Sequence, residues 1–133
     1  MTRVYRLDIA PCPKPRMTQA DKWRKRQSVM KFFAFRDAVK QYIESKVVLQ
    51  SPYHSHHLEF ESFDIEFHIP MPKSWSKKKK ALHNGQPHNQ RPDLDNYIKA
   101  WCDSVFQEDS VVWRIKATKR WTSSPGYITI NEL

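Results

Sequence analysis

The stretch Arg91-Pro92-Asp93-Leu94-Asp95-Asn96-Tyr97-Ile98-Lys99 decides how the middle of the chain folds. Pro92 favours an extended or turn conformation at the preceding residue and suits the entrance of a helix. Asp93 is a natural N-cap, because its carboxylate can accept from the free N–H groups of the first turn. Beyond it, apolar residues recur at helical spacing, at Leu94, Ile98, Trp101, Cys102, Val105 and Phe106. The stretch therefore predicts a helix over residues 93–106 with one apolar stripe.

The same helix carries charged residues on a second stripe. Asp95, Lys99 and Asp103 follow one another at intervals of four residues, which places them on one face. An acidic pair, Glu108-Asp109, comes soon afterwards and precedes the strand-like run 111–113. This acidic cluster belongs to a chain whose net charge is +9, and that contrast is the main functional signal in the sequence.

Composition limits the class of protein and of partner. A chain of 133 residues suits a single domain with a modest core, and 39% hydrophobic and 13% aromatic residues argue against disorder. Only two glycines occur, so a Gly-rich phosphate loop is excluded. The 23 Lys and Arg against 14 Asp and Glu predict a polyanionic partner, nucleic acid first, with a merely basic soluble protein as the alternative.

Cysteine and histidine usage gives little support for a transition-metal site. Cys12 and Cys102 have no CxxC partner, which excludes a zinc ribbon. Three close histidines, His54, His56 and His57, invite a zinc interpretation but lack helical spacing or a cysteine partner. No signal-type core and no run of about 20 apolar residues occurs, so we expect a cytoplasmic protein with no membrane partner. We also expect no small-molecule organic cofactor.

The remaining pattern predicts a small α/β (α+β) domain over residues 1–133. Its mixed sheet has about four strands packed against two main helices. The first half is predicted to contain a strand at 4–9, a helix capped by Thr18 or Asp21 that runs to Ile43, and a strand at 58–69. An irregular segment at 70–91 follows, and then the helix at 93–106. A strand at 111–121 and a strand at 127–130 are predicted to form a hairpin at the end.

The irregular segment is strongly basic. Four consecutive lysines stand close to Trp75, a combination that suits a phosphate backbone with an occasional base contact. The alternative is a solvated, disordered charge run. We expect residues 73–91 to form a DNA-contacting loop that is mobile without DNA. The candidate DNA-binding residues are Lys14, Arg16, Lys73, Lys77, Lys78, Lys79, Lys80 and Arg91.

The acidic cluster suggests metal chemistry. Carboxylates at Asp93, Asp95 and Asp109 would repel one another unless a cation screened them. Mg²⁺ prefers carboxylate oxygens and keeps coordination positions for waters and phosphates. A basic surface that delivers a phosphodiester to such a cage is the layout of a metal-dependent nuclease, and Lys99 could stabilise the transition state or orient the water. Capping and surface salt bridges explain an isolated Asp-x-Asp pair equally well.

A family resemblance adds to this interpretation. The pattern Asp93-Leu94-Asp95-Asn96-x-x-Lys99-Ala100-x-x-Asp103, followed by an acidic pair and a Val-rich strand, resembles the RusA family of Holliday junction resolvases. Pro13-Lys14-Pro15-Arg16, after a first strand, resembles the opening of that family. The resemblance implies a homodimeric phage or prophage endodeoxyribonuclease that acts on branched DNA in recombination and repair. It also implies Mg²⁺ as cofactor, with Mn²⁺ as a possible substitute.

The resemblance also implies roles for individual residues. Asp93, Asp95 and Asp109 correspond to the catalytic, metal-binding carboxylates, and Lys99 to the essential lysine. Asp103 matches a further acidic position, and Glu108 stands where many members have an aspartate; both are candidate metal ligands. The stretch 103–108 is shorter than in many relatives, and Val111 replaces a common glutamine. Glu108 is therefore the alternative to Asp109 as the direct ligand.

Three functions follow from the sequence, in decreasing order of support. The first is a nuclease that resolves four-way junctions by paired symmetric nicks, or that cuts other branched DNA such as forks and flaps. The second is a non-catalytic nucleic-acid-binding protein whose acidic cluster only caps helices and forms salt bridges. The third, a phosphohydrolase of small phosphates, is disfavoured by the charge of +9 and by the lack of a Gly-rich cradle.

Overall fold

The structure, a computed structural model, describes residues 4–16, 26–48 (side chains as far as residue 45) and 60–133. The described part forms a small α+β domain, as predicted. Its elements are β1 (Val4–Leu7), α1 (Gln27–Val48), β2 (Ser62–Pro70), α2 (Lys77–His83), α3 (Leu94–Val105), a 3₁₀ turn (Asp109–Val111), β3 (Arg114–Thr122) and β4 (Tyr127–Glu132). None of the described helices is long and apolar enough to cross a membrane.

The four strands form one mixed sheet in the order β1-β4-β2-β3. β3 pairs with β2 in parallel, whereas β4 is antiparallel to both β1 and β2. The predicted hairpin between β3 and β4 is therefore wrong, because β2 lies between them. A Pro-Gly turn indicates that the chain reverses direction, but it does not say which strand becomes the neighbour.

The link from β3 to β4 crosses the end of β2, and Gly126 makes this crossing possible. Its φ is +110°, in the left-handed region that favours glycine. A Cβ atom at this position would lie 3.1 Å from Pro70 Cδ and 3.2 Å from Ala10 Cα. The backbone thus passes close to the last residue of β2 only because residue 126 has no side chain.

β2 is the centre of the sheet and of the core. Phe63, Ile65, Phe67 and Ile69 are buried and alternate with less buried polar residues, as expected of a strand with one face toward the core. α1 and α3 contribute to the same core, with Phe32, Phe35, Val39 and Ile43 from α1 and Tyr97, Ala100, Trp101, Cys102 and Val105 from α3. The predicted first helix is thus present, and it packs against the sheet through these buried residues.

Several predicted boundaries differ from the structure. β1 ends at Leu7, two residues before the predicted end. β3 begins at Arg114, because residues 109–111 form the 3₁₀ turn instead of the start of a strand. The predicted helix caps Thr18 and Asp21 and the three histidines at 54–57 lie outside the described residues.

The segment predicted to be irregular contains regular structure. Lys77–His83 form α2, which is capped at Ser76, whose hydroxyl accepts from the Lys79 N–H at 3.1 Å. Residues 85–88 then run along the outer edge of β3. Gly85 N donates to Trp121 O at 2.9 Å, and His88 N donates to Lys119 O at 3.0 Å. The segment is therefore tied to the sheet at its C-terminal end.

Candidate active site

α3 carries the charged stripe of the candidate site. Asp95, Lys99 and Asp103 are exposed, while Trp101 and Cys102 are buried on the opposite side. The two stripes predicted for this helix are thereby confirmed. Burial of the apolar stripe fixes the rotation of α3, and with it the direction in which the charged side chains point.

Asp93 is the N-cap of α3, but its carboxylate does no capping. Its backbone is extended, and the only capping contact is from Asn96 N to Asp93 O, at 3.1 Å. The predicted side-chain cap is therefore wrong. The carboxylate is exposed and makes no hydrogen bond or ion pair with the described residues. Both of its oxygens are thus available to a ligand.

Lys119, on β3, holds the turn that presents Asp93. Its ammonium group donates to Gln90 O at 2.5 Å and to Pro92 O at 2.7 Å, and the Arg91–Pro92 peptide in this turn is cis. Burial lowers the pKa of Lys119, and the negative charge of Asp93 raises it to a smaller extent. The sequence pattern places Lys119 within the strand predicted at 111–121 and does not indicate this contact, which joins residues nearly thirty positions apart.

Two depressions meet at Asn96 in the first turn of α3. One, of about 510 Å³, is lined by Lys14, Pro15, Arg16, Asn96 and Lys99. The other, of about 280 Å³, is lined by Arg91, Pro92, Asp93 and Asn96. Lys14 N donates to Asn96 O at 3.0 Å, which ties the Pro-rich segment after β1 to this helix. Lys14, Arg16 and Lys99 are thus brought together next to Asp93, whose carboxylate has no partner among the described residues.

Lys99, one of these cations, is only weakly held by the fold. Its ammonium lies 3.5 Å from the Asp95 carboxylate, one helical turn away, and both side chains are more than 60% exposed. Such exposed pairs contribute roughly 0.3–0.5 kcal/mol, because solvent screens them and the side chains lose entropy. Turning Lys99 from Asp95 to a phosphate would therefore cost little.

The other predicted acidic residues lie further along α3. Asp103 forms an ion pair with Lys14. Glu108 accepts from Ser110 N at 3.3 Å and so caps the 3₁₀ turn, in which Asp109 is exposed. Burial raises the pKa of the Cys102 thiol to about 11, with smaller contributions from the charges of Asp109 and Asp103.

The described residues of one chain do not gather three acidic, histidine or cysteine side chains into a metal site. Asp93, Asp95 and Asp109 therefore do not form one cluster within the described chain. Asp93 and Asp95 lie at the N-terminal end of α3, whereas Asp109 follows its C-terminal end, where its charge acts on Cys102. The carboxylates of Asp93 and Asp95 still suit Mg²⁺, which commonly binds one or two carboxylates and takes its other ligands from water and phosphate.

The lysines of α2 form a second basic region, and they are not equivalent. Lys77 and Lys78 are exposed, as is Lys73 before the helix. The Lys79 ammonium lies 4.2 Å from the centre of the Trp75 ring, in a cation–π contact. Trp75 in turn packs on Trp121 of β3, with ring centres 4.8 Å apart. α2 is thereby attached to the same strand that holds the Asp93 turn.

Comparison with known proteins identifies the family. The family model for Endodeoxyribonuclease RusA matches residues 8–131. The chain belongs to the RusA family. Every predicted site residue of this RusA-family chain, from Lys14 to Asp109, lies within the matched range. An uncharacterized protein of Bacillus subtilis (strain 168), YqaN, is 32% identical over 72 residues, which are 48% of this chain and 51% of that protein. The chain thus spans about half the length of this curated relative.

Proposed function

We propose that this RusA-family chain is a Mg²⁺-dependent, structure-selective endodeoxyribonuclease. In this proposal it resolves four-way DNA junctions by paired symmetric nicks during recombination and repair in the cytoplasm. The observation that carries the proposal is the meeting at Asn96 of a depression that contains Asp93 and a depression lined by Lys14, Arg16 and Lys99. The cations of the second depression can bind a phosphodiester backbone. The carboxylate of the first can bind the metal ion that hydrolysis of this backbone requires.

Binding starts with the cations. Lys14, Arg16 and Lys99 would neutralise phosphates close to the cut, and exposed Lys77 and Lys78 on α2 would neutralise phosphates further away. None of these contacts depends on base sequence, so selectivity for branched DNA comes from the shape of the substrate. The lysines also raise the association rate of a chain whose net charge is +9.

The carboxylates would hold the metal. Asp93 and Asp95 would bind Mg²⁺, and Mn²⁺ could replace it. Because Asp109 and Glu108 do not cluster with these two carboxylates in one chain, one of them would become a further ligand from the second copy of a dimer. The bound ion supplies a polarised phosphoryl oxygen and a water with a lowered pKa. Lys99 would leave Asp95 and donate to a phosphate oxygen, where it stabilises the charge that develops during hydrolysis. Asn96, between the two depressions, would orient the phosphate through its amide group.

We further propose that the protein acts as a homodimer. A four-way junction has approximate two-fold symmetry, and two active sites related by a two-fold axis could nick two strands at matching positions. Paired nicks are what distinguishes resolution from the single cuts made by a monomeric nuclease on a flap or a fork.

The test compares a labelled synthetic four-way junction with a linear duplex of the same sequence. Each is incubated with the protein in Mg²⁺, Mn²⁺ or EDTA, and the products are separated on a denaturing gel. We expect symmetric nicks in the junction, only with a divalent metal. Nicks in forks or flaps but not in four-way junctions would replace the proposed substrate. Binding without nicks in any metal would contradict the enzymatic proposal.

A non-catalytic DNA-binding protein is the second candidate. It is favoured by the ion pairs of Asp95 with Lys99 and of Asp103 with Lys14, which give these carboxylates a structural use. Under this alternative Asp95→Asn would leave every activity of the wild-type protein unchanged. Under the nuclease proposal the same substitution abolishes cutting while junction binding persists.

A further inference from the structure

Trp113 differs from the other tryptophans that the structure describes. It is 70% exposed, whereas Trp101 and Trp121 are buried and Trp75 is half-buried in an aromatic cluster. The Trp113 ring makes no ring stacking, cation–π contact or hydrogen bond with the described residues. An indole that is 70% exposed has kept most of its contact area, so a large part of its surface is available to a partner.

The backbone beneath this ring is well anchored. Trp113 N donates to Glu61 O at 3.0 Å, which extends the parallel pairing of β3 with β2 by one residue. Val112 packs partly against the core, and its N–H donates to Asp109 O at 3.1 Å. The indole therefore stands on a fixed base, and only its two side-chain torsions need to be ordered when a partner binds.

Trp113 also lies close in the chain to Asp109, one of the candidate carboxylates. It follows Asp109 by four residues, so the two Cα atoms are at most about 14 Å apart. The spacing between successive phosphates along one strand of DNA is about 3.4 Å of helix axis. If Asp109 is a ligand of the metal that binds the cut phosphate, a base within about four nucleotides of that phosphate is within reach of the indole.

The charges around Trp113 favour DNA over a second copy of the chain. The neighbouring apolar residues Val111 and Ile115 are 47% and 37% exposed, which makes a small apolar patch. β3 is the edge strand here, and its exposed Arg114 and Lys116 flank Ile115. Pairing two such edges across a two-fold axis would bring cations of the two copies together, which is unfavourable. A polyanion such as DNA would instead be attracted by Arg114 and Lys116.

We propose that Trp113 is a stacking platform for a nucleobase of the DNA substrate, at a position that is unpaired or opened next to the cut. This inference rests on the proposed function and adds a base-binding subsite to it. An aromatic side chain stacks on any base, so Trp113 would select the state of the base and not its identity. Branched DNA offers such opened positions, whereas a linear duplex offers few.

The test uses the full chain in EDTA, so that no substrate is cut during binding. Wild type, Trp113→Phe and Trp113→Leu are titrated with a four-way junction and with a linear duplex. Leu82→Ala, which removes another exposed apolar side chain (67% exposed), is the matched control. We expect Trp113→Leu to bind the junction at least about fivefold more weakly, as loss of a stacked base predicts, and the duplex unchanged. Trp113→Phe retains a ring and should recover most of the affinity.

A second titration shows whether a base is the partner. Abasic sites are placed one at a time within four nucleotides of the branch point. At the stacked position the abasic site should weaken wild type and leave Trp113→Leu unaffected, so that the two proteins bind equally. Equal junction affinity of wild type and Trp113→Leu would overturn the proposal. So would a change of molar mass in light scattering of Trp113→Leu without DNA, since that would assign the indole to a contact between copies.

These outcomes are separable from those that test the nuclease. A wild-type protein that never nicks DNA in any metal, yet shows the abasic effect through Trp113, would contradict the proposed function and support the stacking platform. Symmetric nicking by a protein whose affinity does not depend on Trp113 would support the proposed function and contradict the stacking platform.

Discussion

α2 and α3 follow one another in the chain, both expose charged side chains, and both are attached to β3, yet they offer different chemistry. The described α2 contributes lysines, with no carboxylate among its seven residues. α3 combines cations with carboxylates, and Asp93 at its start has no partner among the described residues. Under the proposed function, this difference assigns the binding of phosphates to α2 and the hydrolysis of a phosphodiester to α3.

The attachment of the two helices to β3 also differs. α2 is held through aromatic contacts, from Trp75 to Trp121, and through backbone bonds of residues 85–88. The turn before α3 is held by a single charged side chain, Lys119, on two carbonyl groups. Changes at β3 should therefore affect the two regions in distinguishable ways.

The largest expected effect comes from Asp93→Asn. Cutting should fall by more than about 100-fold, since even the groups that only orient metal ligands are worth roughly 10–100-fold. Junction binding should persist or tighten, because repulsion of the phosphates decreases. The measurement pairs single-turnover cutting in Mg²⁺ with affinity in EDTA. Asp103→Asn, which removes an ion-paired carboxylate, is the control and should cost less. Equal loss of cutting and binding in Asp93→Asn would contradict the assignment.

A substitution at the other end of α3 sharpens the ligand assignment. Whichever of Asp109→Asn and Glu108→Gln removes the further metal ligand should reduce cutting and raise the Mg²⁺ concentration needed for half-maximal rate. The other should leave the rate near wild type, although Glu108→Gln also weakens the cap of the 3₁₀ turn. A Mg²⁺ titration of both variants gives the answer. If neither variant changes the titration, this end of the helix has no role in metal binding.

Lys119→Met tests the attachment of the Asp93 turn. It removes two hydrogen bonds from a charged donor, and we expect the free energy of unfolding to fall by about 2 kcal/mol. The cutting rate should fall more than the affinity for the junction, and Lys119→Arg, which can still donate, should recover part of it. Urea unfolding and single-turnover cutting are the measurements. Lys116→Met, at an exposed position of the same strand, is the control. A loss of affinity with an unchanged rate would contradict a positioning role.

The lysines of α2 should affect binding alone. Neutralising Lys77 and Lys78 together should flatten the dependence of log affinity on log salt by up to about 1.8, at roughly 0.9 per lost phosphate contact on duplex arms. Lys79→Gln should change the slope less, since its ammonium rests on the Trp75 ring. Cutting at saturating protein should not change. If the slope of log affinity against log salt is unchanged in the double variant, Lys77 and Lys78 form a solvated surface that does not contact DNA.

The smallest expected effect concerns pH. His88, the last residue of the 85–88 segment, is buried against Trp121. Burial lowers the pKa of His88, with the charge of Lys119 as a further cause. Between that lowered pKa and the ordinary value of about 6.5, the unfolded chain binds a proton that the folded chain does not. The free energy of unfolding should therefore be highest above about pH 6.5, where His88 is neutral in both states, and should decrease as the pH falls below that value.

His88→Gln should reduce this slope in urea unfolding between pH 7.5 and 5.5. Part of the slope should remain, because burial lowers the pKa of His68 as well. A His88→Gln slope as steep as that of wild type would show that His88 does not contribute.

Sequence reasoning predicted the class of fold and the two stripes of α3, because both depend on local periodicity. It failed for the neighbour of β4, since a turn such as Ser123–Gly126 does not show that the chain crosses over β2. It also failed for α2, because a lysine run carries no apolar stripe by which a helix is recognised. Sequence reasoning could not predict the role of Lys119, because its two contacts join residues distant in sequence. It could not predict the free carboxylate of Asp93 either, because that depends on the geometry of the helix cap.

The central claim is that α3 performs the chemistry and α2 only binds. The most direct test measures affinity in EDTA and single-turnover cutting in Mg²⁺ for three proteins on one four-way junction: wild type, Asp93→Asn, and Lys77→Gln with Lys78→Gln. We predict that Asp93→Asn binds at least as well as wild type and does not cut. The lysine variant should bind more weakly and cut at the wild-type rate once saturated. A lysine variant that is saturated yet fails to cut, or an Asp93→Asn protein that cuts normally, would contradict the account.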